Sequence, residues 1–250
     1  MLPVAFEDAT KAIQAFLLSG KQYVCLMQLH EDVAENRIRE ILGEFTGEIF
    51  QKPPLRASVK RVVRRRTIYE LDVLEVEDRT VLFKITCQAG TYVRKICSDV
   101  GEALGCGAHM KELRRTRAGP FSEDKNLTSM YNLLNAQIHL KEQNDEAELR
   151  NIIRPVEEAF QYIPKIYIRD SAVDAICHGA DLAIPGVVKL DKNIEQNTPL
   201  VLMSMKGEAV ALAKAFESTE QILEQEHGLT AKTVRVIMPP ETYPRLWKDA

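Results

Sequence analysis

What this sequence lacks narrows its class first. No apolar run approaches the roughly 18–20 residues that a membrane-spanning helix needs. Glu7 and Asp8 interrupt the one early apolar stretch, so no secretory leader is expected. The five cysteines (Cys25, Cys87, Cys97, Cys106 and Cys177) are odd in number and form no C-x-x-C pair, which argues against a closed disulfide framework and against a zinc ribbon. Reduced thiols packed as small apolar groups are expected, and with them a cytoplasmic protein. The five histidines are scattered without metal-ligand spacing, and there is no H-E-x-x-H. There is no G-x-x-x-x-G-K-[ST] or G-x-G-x-x-G phosphate loop and no G-x-S-x-G elbow. Hydrolase, NTPase and metalloenzyme readings therefore start low.

What is present fits a soluble globular chain of one large or two ordinary domains: 250 residues, 45% hydrophobic and 28% charged. The net charge of −3 is uninformative, but its distribution is not. Seven basic residues and no acidic one lie between Gln51 and Arg66: Lys52, Arg56, Lys60, Arg61, Arg64, Arg65 and Arg66. Lys111, Arg114, Arg115 and Arg117 form a second cluster. Such stripes can grip a polyanion while the rest of the surface stays acidic and soluble. A charge-protected strand edge reads equally well on charge alone.

Hydrophobic periodicity divides the chain. Ala12, Ile13, Phe16 and Leu17 predict a helix stopped by Gly20. Tyr23–Met27 predicts a strand. A helix opening at Asp32 or Glu35 would bury Ile38, Ile41, Leu42 and Phe45, and Lys52-Pro53-Pro54 would break any helix. Val59, Val62 and Val63, then Ile68–Val76 and Val81–Ile85, read as strands, with a hairpin turn at Asp78-Arg79. Tyr92–Leu104 predicts a helix with Val93, Ile96, Cys97 and Val100 inward, ended by Gly105. His109–Arg117 reads as a strand, and polar helices span roughly Leu127–Tyr162. Beyond Pro164 come short runs at Lys165–Ile168, Leu182–Ile184, Leu200–Met205, Ala209–Phe216 and Thr233–Met238, a pattern that suggests a small β-barrel. The boundary is placed near Ile163–Lys165.

Three segments carry the candidate chemistry. Gly20-Lys21-Gln22-Tyr23 opens a strand on a tyrosine. Ala89-Gly90-Thr91-Tyr92-Val93-Arg94 delivers an aromatic and an arginine at a helix start. Glu112-Leu113-Arg114-Arg115-Thr116-Arg117-Ala118-Gly119-Pro120-Phe121 is a basic strand with a sharp end. Singly, each has a plain explanation: a half-buried strand aromatic, a surface helix residue, a solvated edge.

Together, in this order, they resemble the TruB branch of RNA pseudouridine synthases, and within it the archaeal, dyskerin-like enzymes of H/ACA particles. Leu2-Pro3-Val4-Ala5 with Glu7 and Ala9-Thr10-Lys11 is similar to the stretch after that family's aspartate motif, and Gly20–Tyr23 to its tyrosine motif. Gln51-Lys52-Pro53-Pro54-Leu55-Arg56-Ala57-Ser58-Val59-Lys60-Arg61 resembles the basic segment of the archaeal and eukaryotic members, and Gly90–Arg94 the arginine motif. Leu113–Phe121 resembles a further signature. His178-Gly179-Ala180-Asp181-Leu182 with Pro185-Gly186 resembles the opening of a PUA RNA-binding domain. The resemblance covers essentially the whole chain.

It implies an α+β fold, with a mixed-sheet synthase domain over residues 1–163, a PUA-type β-barrel over 164–240 and a tail over 241–250. It also implies isomerisation of uridine to pseudouridine. A base within a helix must be flipped out to react, and a nucleophilic carboxylate splits one difficult step into two. By resemblance Arg94 pairs with that carboxylate, Tyr23 stacks on the base near the proton removed at the end, Tyr92 shapes the pocket wall and Leu113 its floor. No metal and no organic cofactor is implied. Lys52, Arg56, Lys60, Arg61, Arg64, Arg65, Arg66, Arg114 and Arg115 are the candidate phosphate contacts, with His178, Gly179, Ala180 and Asp181 on the PUA module. The implied partners are tRNA, ribosomal RNA and an H/ACA guide RNA, together with the small H/ACA proteins and the kink-turn-binding ribosomal-type protein. No membrane partner is implied.

The family's nucleophile lies in a Gly-Thr-Leu-Asp-Pro run, and no such run occurs in the 250 residues. Asp8 does not match it and reads as a solvated helix residue. From this the sequence predicts a synthase domain that is only partial, lacking its aspartate segment and inactive alone. The alternatives are a non-catalytic RNA-binding scaffold and one half of a split enzyme.

Overall fold

The structure, a computed structural model, describes residues 1–17, 19–54, 59–123 and 127–245. A 3-10 turn over Glu7–Ala12 runs into the short helix α1 (Ile13–Leu17). The chain forms two compact units, one of Met1–Pro3 and Leu17–Leu127, the other of Val4–Phe16 and Thr128–Ala250.

The first unit is a six-stranded sheet in the order β2-β3-β4-β1-β5-β6. In chain order its elements are β1 (Lys21–Leu29), α2 (Glu35–Glu44), β2 (Gly47–Gln51), β3 (Arg64–Glu77), β4 (Thr80–Cys87), α3 (Val93–Leu104), β5 (Ala108–Ala118) and β6 (Phe121–Ser122). All five pairings are antiparallel. The alternation along β1 puts Cys25, Met27 and Leu29 on a buried face. They join Phe83, Ile85 and Cys87 of β4, Ile38, Ile41 and Leu42 of α2, and Val93, Ile96, Cys97 and Val100 of α3 in one core. Fully burying a side chain such as Phe83, Met27 or Ile96 contributes about 1.5–3 kcal/mol.

Two departures from the expected strands share one cause. Val59, Val62 and Val63 are exposed (40%, 53% and 62%) and lie outside any strand. Pairing in β3 begins only at Arg64, opposite Gln51, because Pro53 and Pro54 end the partner strand there. That partner, β2, is too short to show in the periodicity, and Phe50 on it is 74% exposed.

The second unit continues with α4 (Met130–Gln143), α5 (Ala147–Ile152) and a 3-10 turn over Val156–Phe160. There follow β7 (Lys165–Ile168), α6 (Asp170–Cys177), β8 (Leu182–Ala183), β9 (Val187–Leu190), β10 (Pro199–Ser204), β11 (Ala209–Ala215), α7 (Thr219–Glu224) and β12 (Leu229–Val236). Their sheet has the order β8-β12-β11-β10-β7-β9, with β7 and β10 parallel and the other pairs antiparallel. Its two outer strands, β8 and β9, are joined by only Ile184–Gly186. So short a link cannot cross a flat six-stranded sheet, so the sheet must curl. The link itself completes the curl: Ile184 N–H donates to Gly228 O (2.9 Å), and Gly186 O accepts from Arg169 N–H (2.9 Å).

Helix α3 lies so close to the start of β5 that a Cβ on Gly101 would stand 2.1 Å from Ala108 N and 2.5 Å from Gly107 C. The obstruction is backbone, which cannot rotate away as a side chain would. Gly101→Ala should therefore lower the unfolding free energy by about 3 kcal/mol, the upper range for overpacking. Denaturant titration of the variant against the parent checks this; a change under about 0.5 kcal/mol would refute the close approach.

Candidate active site

Strand register gathers the tyrosine and arginine motifs at one end of the first sheet. β1 begins at Lys21, which pairs with Cys87 at the end of β4 and with Ala118 at the end of β5. The chain leaves β4 at Cys87 and enters α3 at Val93, so α3 starts at that same end. Gly101 then meets Ala108, the partner of Leu29, so the helix runs along β1 toward its far end. The Sγ atoms of Cys25 and Cys97 touch at 3.6 Å between strand and helix. The Cys25 thiol is pushed up, first by that contact and then by burial, so it is a neutral packing group and not a nucleophile.

Tyr23 pairs with Arg115 across β1 and β5. Its ionisation is pushed up from the ordinary tyrosine value, first by burial and then by the neighbouring Cys87; the Arg115 guanidinium, through charge and a hydrogen bond, pulls the other way. At neutral pH the phenol is therefore a proton-bearing, half-buried ring. Arg115 is shared: its Nε donates to Met1 O (2.9 Å), and the Met1 amino group donates to Arg115 O (3.0 Å). This side chain is tied to the tyrosine and the start of the chain, and does not stand free for phosphate. Lys21, at the same end, is held below its usual value by burial first and by the like charge of Arg115 second.

Tyr92 is the residue that precedes the first turn of α3, and Arg94 lies in that turn. Arg94 is exposed, and its guanidinium has no ion pair or hydrogen bond among the described residues. Leu113 is 39% exposed on β5, opposite Cys25. The turn before α3 is held by several groups. Gln88 N–H donates to Thr67 O (2.8 Å), Gln88 Oε1 accepts from Thr67 N–H (3.2 Å), and Thr91 Oγ1 donates to Gln88 O (2.7 Å). The Gln51 side chain grips Tyr92: its Oε1 accepts from Tyr92 N–H at 2.9 Å and its Nε2 donates to Tyr92 O at 3.2 Å. Sequence reading missed Gln51 and the role of Arg115; only the Gln-Lys-Pro-Pro motif hinted at the first.

Not all candidate phosphate contacts are equivalent. Lys52, Lys60 and Arg61 are exposed, with Arg61 Nε also reaching Pro53 O at 3.4 Å. Arg65 is exposed and pairs with Glu48 at 3.2 Å, and Arg114 pairs with Glu123 at 2.9 Å. Exposed pairs of this kind are worth about 0–1 kcal/mol, so a phosphate can compete for either cation. Among the described residues, Arg64 makes a single long side-chain contact, to Lys60 O (3.5 Å). Arg66 turns inward instead, its guanidinium 3.3 Å from the position a Cβ on Gly90 would occupy. Arg56 lies outside the described residues. Asp8 is solvated and pairs with Lys11 at 2.9 Å. Among the described residues no group of three or more His, Cys, Asp or Glu could hold a metal ion, and no helix is long and apolar enough to cross a membrane.

In the second unit, the His178–Asp181 turn closes α6. Gly179 has φ +91°, a left-handed value, and open space beyond its missing Cβ. Ala180 O accepts from Thr233 Oγ1 (2.7 Å), and Asp181 Oδ1 accepts from Thr233 N–H (2.9 Å). His178 Nε2 lies 3.2 Å from an Arg245 guanidinium nitrogen, and its Nδ1 lies 2.8 Å from Asp174 O. Arg245 can only donate, so Nε2 bears the lone pair and Nδ1 the proton.

Comparison with known proteins gives a contiguous picture. A model of the TruB family pseudouridylate synthase N-terminal domain matches residues 1–93, one of the tRNA pseudouridylate synthase B C-terminal domain matches 94–161, and one of the PUA domain matches 164–237. A probable tRNA pseudouridine synthase B of Methanosarcina barkeri is 52% identical over 247 residues, which cover 99% of this chain and 73% of that protein. The protein of the same description from Thermococcus kodakarensis is 49% identical over 249 residues, covering 100% and 74%. Among solved structures, a Cbf5–Nop10–Gar1 complex matches at 47% identity and a TM-score of 0.94, over 98% of this chain and 75% of that one. An H/ACA RNP bound to a substrate RNA containing 2'-deoxyuridine matches at 44% and 0.90, over 97% and 74%.

These matches correct the expectation of a partial synthase domain. The N-terminal domain match starts at residue 1, runs to residue 93 and meets the next at 94. The expectation that this domain is only partial and the chain inactive is not borne out by these matches, which cover residues 1–161 without a gap. One five-residue run weighs less than agreement over residues 1–161, within which the first sheet and its core are both formed.

The opposing influences on Tyr23 make a measurable difference. Removing the Arg115 charge should push Tyr23 ionisation higher still, because that charge is what favours the phenolate. Ultraviolet titration of the parent and of Arg115→Gln, each against a Tyr23→Phe background, isolates the Tyr23 signal. An unchanged or lower midpoint in Arg115→Gln would contradict the assignment.

Proposed function

Because the chain belongs to the TruB family of pseudouridylate synthases, which are isomerases, we propose that it converts uridine to pseudouridine in tRNA and in guide-selected ribosomal RNA. The observation that carries this reading is the convergence of Tyr23, Tyr92 and Arg94 at one end of the first sheet. Uridine isomerisation needs a flat surface for the flipped base and a fixed cation for a carboxylate nucleophile. Tyr23 offers the first, as a half-buried ring that keeps its proton at neutral pH, near the start of β1 and paired across the strands with Arg115. Arg94 offers the second, exposed in the first turn of α3. By the same reading Tyr92 shapes the pocket wall and Leu113 its floor. No carboxylate of this chain stands in a Gly-Thr-Leu-Asp-Pro run, so the roles assigned concern the residues that hold the base and orient the nucleophile.

The exposed cations Lys52, Lys60, Arg61, Arg65 and Arg114 and the half-buried Arg64 act on RNA phosphates, with Arg56 and Arg66 in the same stretch. Phosphate contacts of this kind position a duplex without reading its sequence. The His178–Asp181 turn holds the end of a guide RNA or the acceptor end of tRNA, and a guide RNA supplies base-pairing specificity. Assembly with the small H/ACA proteins and the kink-turn-binding ribosomal-type protein is part of the proposal; the resemblance to a Cbf5–Nop10–Gar1 complex supports the first of these. A cytoplasmic location is supported by five free cysteines, four of them buried. The chemistry has no net redox change and calls for no cofactor.

In the particle assembled with guide RNA and the small H/ACA proteins, Arg94→Ala should cut turnover by at least about 100-fold, the scale of losing one preorganised charge-stabilising donor at a reacting centre, while RNA binding persists. Tyr23→Phe should keep binding, since the ring still stacks, but should slow product formation. Tyr23→Ala should lose both, stacking being worth about 1–3 kcal/mol per base. Wild-type turnover in Arg94→Ala would refute the cation role, and equal rates for Tyr23→Phe and the parent would leave stacking as the only role of the ring.

Filter binding at several salt concentrations separates the two RNA surfaces. Arg64→Ala/Arg65→Ala should weaken binding and flatten its salt dependence, each lost phosphate contact lowering the slope by about 0.7–0.9. Gly179→Leu should weaken binding with the slope unchanged. Gly179→Asn, which tolerates the left-handed backbone, separates bulk at the surface from strain in the turn. Parental binding by all these variants at low and high salt would overturn the RNA-binding reading.

A further inference from the structure

Gln51 ends β2, the edge strand of the first sheet, and is 2% exposed. Its backbone completes the pairing of β2 with β3 opposite Arg64, and Pro53 and Pro54 take the chain out of the sheet. Its side chain turns to Tyr92, 41 residues away, and makes both hydrogen bonds that a neighbouring strand would make: Oε1 accepts from Tyr92 N–H and Nε2 donates to Tyr92 O. The carboxamide extends the sheet by one residue where prolines have ended it. Tyr92 has no side-chain cap bond to α3, and its carbonyl also receives the helix's first-turn amides, Lys95 N–H at 3.0 Å and Ile96 N–H at 3.2 Å. Gln51 therefore sets where α3 begins. Arg94 follows two residues later with no partner of its own among the described residues, so its direction is inherited from that starting point.

We propose that Gln51 is a positioning residue for the reaction, acting through Tyr92 to fix the pocket wall and the Arg94 guanidinium. The role in turnover rests on the synthase reading of those two residues. The chemistry demands a carboxamide. A planar group with one acceptor and one donor, both uncharged, matches the N–H and C=O of a single residue. Asparagine is a methylene short. An ionised glutamate still accepts from Tyr92 N–H but sets a carboxylate oxygen against Tyr92 O. A protonated glutamate carries one donor and one acceptor again, which makes the substitution reversible by pH.

The test compares Gln51→Glu, Gln51→Met and the parent. In the full chain alone, amide hydrogen exchange at Tyr92 and at Lys95–Ile96 should speed at least about 10-fold in Gln51→Met, with exchange in β1 and β5 unchanged. In the assembled particle, Gln51→Glu should turn over at least about 10-fold more slowly than the parent above pH 7, at the same RNA affinity. Relative to the parent it should recover as pH falls and its carboxyl takes up a proton, a titration that burial and the facing Tyr92 carbonyl push upward. A purely structural residue would lose rate, RNA affinity and unfolding midpoint together, with no recovery in acid. Unchanged exchange at Tyr92 in Gln51→Met overturns the proposal, as does faster exchange with parental turnover. A parent without turnover counts against the synthase reading instead, and the exchange measurement then decides whether Gln51 holds Tyr92.

Discussion

Helix α3 crosses the first sheet with no side chain between its backbone and the start of β5, since Gly101 abuts Ala108. That contact, with Cys25 against Cys97 nearer the other end of the helix, settles both the height and the direction of α3 above β1. The rest of the site is a consequence. A rigid helix pinned along its length has one place for its first turn, and here that place is the end of the sheet where Tyr23 lies. Protein interiors transmit such constraints because they are close-packed. A residue without a direct contact to RNA, such as Gly101, can therefore govern where Arg94 points.

At the start of the helix, packing gives way to polar control. The turn from β4 to α3 is gripped from β3 by the Gln88–Thr67 pair and from β2 by Gln51. On the other side of the site, Arg115 is hydrogen-bonded to Met1 while its charge favours the Tyr23 phenolate. Partly buried polar groups of this kind are costly when unpaired and directional when paired, so they suit a site whose geometry must be narrow. The basic stripe follows different physics. Its exposed cations hold only weak surface pairs, as suits groups that must exchange a carboxylate partner for a phosphate.

Much of this was legible in the residues alone. The strand over Tyr23–Met27, the inward face of α3 and its stop at Gly105 follow from residue pattern and glycine placement, and the structure places them so. The errors have physical causes. Val59, Val62 and Val63 are β-branched and look like a strand, but a strand needs a partner, and the prolines at 53 and 54 remove it. β2 and β9 escaped notice because runs of four or five residues give period-two alternation too few repeats. The expectation of a partial domain came from weighting one motif above the whole alignment of the chain with its family.

The family is written in the chain as long motifs in a fixed order, and the two strand-rich regions as local periodicity. Both signals lie between near neighbours along the chain, where steric rules of helix and strand act directly. Folding is what ties Arg115 to Met1 beside Tyr23, turns Arg66 in against Gly90 and sets Gln51 on Tyr92. Those choices are made by hydrogen bonds and contacts between residues tens of positions apart, and their geometry exists only once sheet register and helix height are set.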